Sequence, residues 1–192
     1  MSKGLYRFLV WTATVMAVAW IGWSIYDSML SDRQPGDMAY LEANNLFEDG
    51  EYQRALEKYD EALSIVPDHI HALRGRARSL MQLGRSAEAL ATFNTVIALE
   101  PDFAPSYANR GILHDRMGRY EKAIEDYERA IALDVETAEG PHWLTRFLRN
   151  QPEKPPGIAE RAAYLRKELA KPESERLLRI PEVDAEQRTY KQ

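Results

Sequence analysis

Three basic side chains, His71, Arg74 and Arg78, stand three and four residues apart in the stretch IHALRGRARSLM. On a helix that spacing puts them on one face. Two guanidinium forks flanked by an imidazole can receive a carboxylate through charge-assisted hydrogen bonds. The competing reading is a solvated basic face, because arginines mostly lie at surfaces. Both readings leave the arginines exposed, so their replacement by alanine is expected to weaken binding and to spare folding.

The other reactive residue types do not assemble into catalysis. The histidines are His69, His71, His114 and His142. His69 and His71, two residues apart, face differently on a helix, and no cysteine completes a metal set. They are expected to be solvated or capping. Serine, histidine and aspartate occur without a nucleophile-elbow context, and no glycine loop is shaped to cradle a phosphate. Runs such as EKAIEDYER place opposite charges three and four apart, which solvates a helix surface. The chain is therefore expected to be no enzyme, and to need no cofactor, no metal and no small-molecule substrate.

Composition narrows the class further. The 192 residues are 45% hydrophobic, enough for a core, and carry a net charge of -5 with no cysteine. No run of Lys or Arg is long enough to track a phosphate backbone, so nucleic acid is not an expected partner. The N-terminus departs from the rest: Phe8 to Tyr26 is 19 residues without a charge. As a helix it reaches roughly 30 Å, the thickness of a bilayer core. Trp20, Trp23 and Tyr26 crowd its far end, where amphipathic rings favour the interface. A cleaved signal peptide ending at Ala17-Val18-Ala19 is an alternative, against which the apolar run continues through Trp20-Ile21-Gly22-Trp23. A buried soluble helix is a second, against which the hydrophobicity is unbroken all round. The retained anchor is the favoured expectation. Lys3 and Arg7 precede the span while Asp27, Asp32 and Arg33 follow it, which places the N-terminus in the cytoplasm and the remainder across the membrane.

What must position the basic face is a repeat. Gly50, Gly84 and Gly118 open three similar phrases, 34 residues apart. Aligned on them, the units are 36–69, 70–103 and 104–137. Equivalent places hold Ala43/Ala77/Gly111, Ala55/Ala89/Ala123, Tyr59/Phe93/Tyr127 and Ala62/Val96/Ala130, and the closing place holds Pro67, Pro101 and Val135. Each unit reads as a helical hairpin. Ile70, Leu73, Ala77 and Leu80 make one stripe, a glycine ends the helix, and Ala89, Phe93, Val96 and Ile97 make the next. One hairpin cannot bury its apolar face alone, so the units must stack.

This period and register resemble the tetratricopeptide repeat family over residues 36–137. Position 7 of the unit departs from it, being Glu42, Arg76 and Arg110 where leucine is frequent. The resemblance implies an all-α solenoid of three repeats, closed by a capping helix and preceded by one transmembrane helix. The expected organisation is an anchor over 1–26, a linker over 27–35, repeats over 36–69, 70–103 and 104–137, and a capping helix over 138–150. A linker, an amphipathic helix and an extended tail then fill 151–192. The cap is expected from the apolar stripe Trp143, Leu144, Phe147 and Leu148. The helix with Ile158, Ala162, Leu165 and Leu169, hung on a proline-rich tether, is expected to order against a partner or the groove, so that a chain ending at Gln151 melts little differently.

In this family the first helix of each unit lines a concave surface. Transferred to this chain, the resemblance implies Tyr40 and Asn44 from the first repeat, His71, Arg74 and Arg78 from the second, and Arg116 with the adjacent Asn109 from the third. Phe47, Met81 and Asp115 share a further groove position. His114 falls where the repeat packs a core aromatic and is expected to be a packing residue. The two-carboxylate clamp of some members is not matched, because Gly75, Tyr40, Pro105 and Asn109 stand where its polar and cationic residues belong. A protein or peptide partner, acidic or C-terminal in character, is expected. The layout is similar to bacterial envelope members with one N-terminal span, which implies a single-pass inner-membrane protein with a periplasmic repeat domain acting as an adaptor or chaperone-like scaffold. The alternative is an accessory structural subunit, docked in a membrane complex through its span and C-terminal arm.

Overall fold

A computed structural model of the chain describes residues 3–30, 35–134 and 157–179. Among the described residues every regular element is helical. The chain divides into two units, 1–34 and 35–192. The first holds α1, Lys3–Leu30, long and apolar enough over Lys3–Asp27 to cross a membrane. Its two threonine hydroxyls are satisfied internally: Thr12 donates to the Leu9 carbonyl at 2.9 Å and Thr14 to that of Val10 at 2.8 Å. That is what lipid demands of a polar side chain. Trp11, Trp20 and Trp23 are exposed along it.

The second unit stacks three hairpins. They are α2 (Asp37–Glu48) with α3 (Tyr52–Ile65), α4 (Ile70–Gln82) with α5 (Ser86–Leu99), and α6 (Ala104–Arg116) with α7 (Tyr120–Leu133). Each first helix ends at a glycine of the repeat, with φ of 80°, 74° and 73° at Gly50, Gly84 and Gly118. The left-handed glycine lets the next residue donate back into the helix, as Arg85 does to the Leu80 carbonyl at 2.9 Å. Ala43, Ala77, Ala55, Ala89 and Ala123 are all fully buried, which brings paired helices close. Tyr59, Phe93 and Tyr127 fill the space beside them and are also fully buried. Each such ring contributes about 1.5–3 kcal/mol of burial before entropy.

The departure at position 7 acquires a physical reason. Arg76 donates to Thr92 on its own hairpin and to Asp60 on the preceding one, both at 2.7 Å. Arg110, one unit later, pairs with Asp126 through two bonds of 2.6 and 2.8 Å and reaches Asn94 of the preceding hairpin at 2.8 Å. Glu42, with no repeat before it, pairs within its hairpin, to Lys58 at 3.0 Å. A polar bracket has replaced leucine and ties one repeat to the next.

Beyond α7 the described chain resumes with α8, Ile158–Leu169, followed by a short 3₁₀ turn, Glu173–Glu175. The expected cap over 138–150 lies outside the described residues, as do the tether up to 156 and the tail from 180. α8 packs on α7 as α4 packs on α3, and Ile158, Ala162 and Leu165 are buried with Ala123, Tyr127 and Ala130. This corrects the expectation of a helix waiting for a partner: it closes the stack, and the chain itself supplies the surface it orders against.

Candidate functional site

The face around α2 and α4 is built on rings. Tyr40 stacks with His69 and His71, its ring centroid 5.1 and 5.9 Å from theirs. His69 caps α4, its Nδ1 accepting from the Ala72 amide at 3.2 Å. Its proton therefore sits on Nε2, which donates to Asp37 Oδ1 at 3.0 Å and ties the starts of α2 and α4 together. Tyr59, from α3, sends its hydroxyl to Asn44 Oδ1 at 2.6 Å. The ring crosses Gly75 so closely that a Cβ there would lie 2.1 Å from it. Glycine at 75 is what lets the hydroxyl through to the groove side.

Arg78 lies beside that hydroxyl, with its guanidinium 4.6 Å from the Phe47 ring. Burial pushes the Tyr59 phenol up to about 12, against the opposing pull of Arg78. Arg74 packs its guanidinium over Phe103 at 3.5 Å and gives an Nη to Glu100. Burial lowers its pKa, outweighing Glu100. The Nε atoms of both arginines are buried without an acceptor. Only 5% of Arg74 and 6% of Arg78 is exposed. This corrects the exposed basic face: the two guanidinium groups are buried against the Phe103 and Phe47 rings, so alanine there is expected to leave cavities.

The third repeat brings up a different arrangement. Asp115, on α6, accepts a fork from Arg161 of α8, Nε at 2.7 Å and Nη2 at 2.9 Å. Tyr127 adds its hydroxyl to the same carboxylate at 3.3 Å. Arg161 also donates to the Leu178 carbonyl at 3.1 Å, while Glu168 accepts from the Leu177 amide at 2.8 Å and from Lys171 at 2.5 Å. These two partners, Lys171 first, hold the Glu168 carboxyl below its usual range. Residues 176–179 thus run back along α8, and Arg179 donates to the Arg116 carbonyl at 2.9 Å. Asn109 is buried in α6. His114 is buried as expected of a packing residue, its Nε2 3.9 Å from Asp126.

Of the expected site residues, Tyr40, Asn44, His71, Arg74 and Arg78 gather around α2 and α4, whereas Asn109 and Arg116 stand on α6. Arg161, Glu100 and Phe103 were not foreseen. A signal for the Arg161 contact existed in Asp115, a charged residue at a register place that is Phe47 and Met81 in the other repeats.

Comparisons with known proteins agree with this geometry. Family models described as tetratricopeptide repeat match residues 46–109 and 104–135. The chain is similar in structure to the first TPR of Spaghetti (RPAP3) bound to the HSP90 peptide SRMEEVD, at 24% identity, covering 69% of this chain and 96% of that one, with a TM-score of 0.53. The Sgt2 TPR domain from Aspergillus fumigatus gives 22% identity over 73% of this chain and 87% of that one, TM-score 0.54. YrrB, a TPR protein with an unusual peptide-binding site, gives 23% identity over 62% and 59%, TM-score 0.51. A comparison with curated proteins found none that matches the chain.

Proposed function

The chain belongs to the tetratricopeptide repeat family, and from that membership we propose that it is a membrane-anchored adaptor that holds a protein or peptide partner against its concave face. The observation that carries this is Arg78, a buried cation with no ion pair among the described residues. A charge kept out of water without a counter-charge is costly. A binding surface that meets an acidic side chain gives that cost a purpose.

Similarity supports the class of ligand: one neighbour of this fold carries the acidic peptide SRMEEVD. The two-carboxylate mode is not the one proposed here, since Tyr59 requires glycine at 75. The anchor is α1, and the cations Lys3 and Arg7 before it support a repeat domain on the outer side of a bacterial inner membrane.

Two measurements test the proposal. Phosphatase and fluorescent-protein fusions at the C-terminus report opposite sides of a membrane; the expected result is an active phosphatase and a dark fluorophore. Pull-down of the full chain from mild detergent, with and without Arg78→Met, tests the groove. The expected result is a partner recovered by the parent and lost by the variant. Equal recovery would move the interface off this face.

A further inference from the structure

Three side chains of α8 read main-chain atoms of the segment that follows it. The segment leaves the 3₁₀ turn extended, with φ of -75° and ψ of 126° at Arg176. Glu168 accepts from the Leu177 amide at 2.8 Å, Tyr164 donates to the Leu177 carbonyl at 2.5 Å, and Arg161 donates to the Leu178 carbonyl at 3.1 Å. Any extended segment offers the same atoms, so these contacts give affinity and the side chains give specificity. Leu178 packs against the core cluster, while Leu177 is 59% exposed. Arg179 donates to the Arg116 carbonyl at 2.9 Å, at the C-terminal end of α6, where the helix dipole favours a cation. The pattern recognised is an apolar residue followed by a basic one.

The readers do not depend on what they read. Arg161 is fixed by its fork on Asp115, and Glu168 by Lys171. The Tyr164 ring lies 5.5 Å from the Arg161 guanidinium. Arg161 and Glu168 are buried. Groups held by other partners are preorganised and keep their shape when an occupant leaves. The occupant is lightly held by comparison. Its main-chain bonds exchange for bonds to water at small net gain, and Leu178 is its half-buried apolar anchor. We propose that residues 176–179 are the resident occupant of a peptide site on α8, displaced by a partner's extended segment that carries an apolar residue followed by a basic one. The inference rests on the adaptor reading for the existence of a partner and makes no use of Arg78. Six residues join Leu169 to Arg176, and so short a tether gives an effective concentration near the millimolar range. The segment therefore sets a threshold that the partner must exceed.

The full chain permits a direct test. Leu178→Asp unseats the segment and leaves Arg161, Tyr164 and Glu168 in place. A synthetic peptide ESERLLR, the sequence of residues 173–179, is then added at millimolar concentration, and its binding is read by saturation-transfer NMR. The expected result is binding to the Leu178→Asp chain about fivefold or more above that to the parent, an ordinary coupling between competing ligands. Aspartate in place of the peptide's second leucine should abolish binding, and in place of the first should leave it. Adding Tyr164→Phe to the opened chain should weaken it. An opened chain that melts like the parent and takes up no peptide overturns the proposal, and so does a peptide whose two leucines matter equally. Should Leu178→Asp fail to fold, hydrogen exchange in the parent decides. The Leu177 amide is expected to exchange well before that of Leu165 in the core of α8. Exchange of both only together, by global unfolding, makes the segment structural and overturns the proposal. Arg78→Met should leave peptide binding unaltered. Partner recovery lost with Arg78 beside an opened chain that takes no peptide sinks this inference alone. Peptide uptake beside recovery indifferent to Arg78 sinks the groove reading alone.

Discussion

Arg78 and Arg161 are nearly equivalent in burial and opposite in company. Each projects from a helix that packs behind a repeat, towards the hydroxyl side of a buried tyrosine, Tyr59 or Tyr127. Where the third repeat offers Asp115, the first repeat offers Phe47 at the same place of the unit. Arg161 therefore ends in a bidentate ion pair, and Arg78 ends over a ring. A ring face attracts a cation with about 0.5–2 kcal/mol and does not neutralise it. A fork-paired carboxylate does. One end of the groove is complete in itself and behaves as structure. The other has a buried cation with no ion pair among the described residues, and under the proposed function that is where a partner's anion enters.

The comparison breaks most severely if one side is deleted. A chain ending at Gln151 loses α8, exposing the face of Tyr127 and Ala130 that Ile158 and Leu165 now cover. Two large side chains at about 1.5–3 kcal/mol each put the loss near 3–6 kcal/mol. Thermal unfolding in detergent should shift down by ten degrees or so, about 2–4 °C for each kcal/mol in a chain of this size. An unshifted melt would show that the stack closes without α8.

Next in size is Asp115→Ala, which strands a buried Arg161 and should cost about 3–5 kcal/mol. The pair replaced together, Asp115→Leu with Arg161→Met, should recover most of that, because two matched apolar groups carry no desolvation debt. Denaturant titration of the three chains gives the coupling directly. A double variant no better than the single one would mean that packing, not charge pairing, dominates this end.

These two effects mark what was legible before the structure and what was not. The hairpins follow from spacing alone, since glycine, alanine and an aromatic recurring every 34 residues leave one way to pair helices. The stripe on α8 was equally readable, but a stripe says only that something covers it. The surface it covers is chosen by one charged residue, Asp115, in a slot that is otherwise apolar. The burial of Arg74 and Arg78 was invisible for a related reason. Their covers, Phe47, Glu100 and Phe103, are remote in sequence, and the 34-residue register does not say which of them meets which arginine. Spacing places a side chain on a helix face, and only packing decides whether that face meets water.

Arg78→Met sharpens the comparison with a smaller effect on folding. The substitution keeps a flexible apolar side chain on Phe47 and removes an uncompensated charge, so stability should move by less than about 1.5 kcal/mol in either direction. Arg161→Met, the same change at the other end, leaves Asp115 buried alone and should be clearly the worse of the two. Binding should invert the order. Loss of a buried charge contact to a partner costs about 2–5 kcal/mol, and it should appear in the Arg78 variant. Should Arg78→Met destabilise as much as Arg161→Met, Arg78 would be structural and the receptor reading would fall with it.

The smallest effect expected is on the pH dependence, and it separates the two ends by a titration. His114 sits on α6 beside Asp115, buried, with Nδ1 lacking an acceptor. Burial holds its pKa below the ordinary 6.5; Asp126 pulls it back up, while Arg110, Arg119 and Lys122 push it further down. Arg110 meanwhile holds both oxygens of Asp126. A base whose pKa is lower folded than unfolded binds fewer protons when folded, so stability is full above about pH 6.5. It is lost as the pH falls from there towards the folded value. This part of the acid limb at the third repeat is assigned to His114, whose burial lowers its pKa. His114→Phe, which keeps a ring in a packing position, should flatten the decline in melting temperature between pH 7 and pH 5 while leaving partner binding through Arg78 unaltered. A decline of unchanged steepness would show that His114 does not set the acid limb.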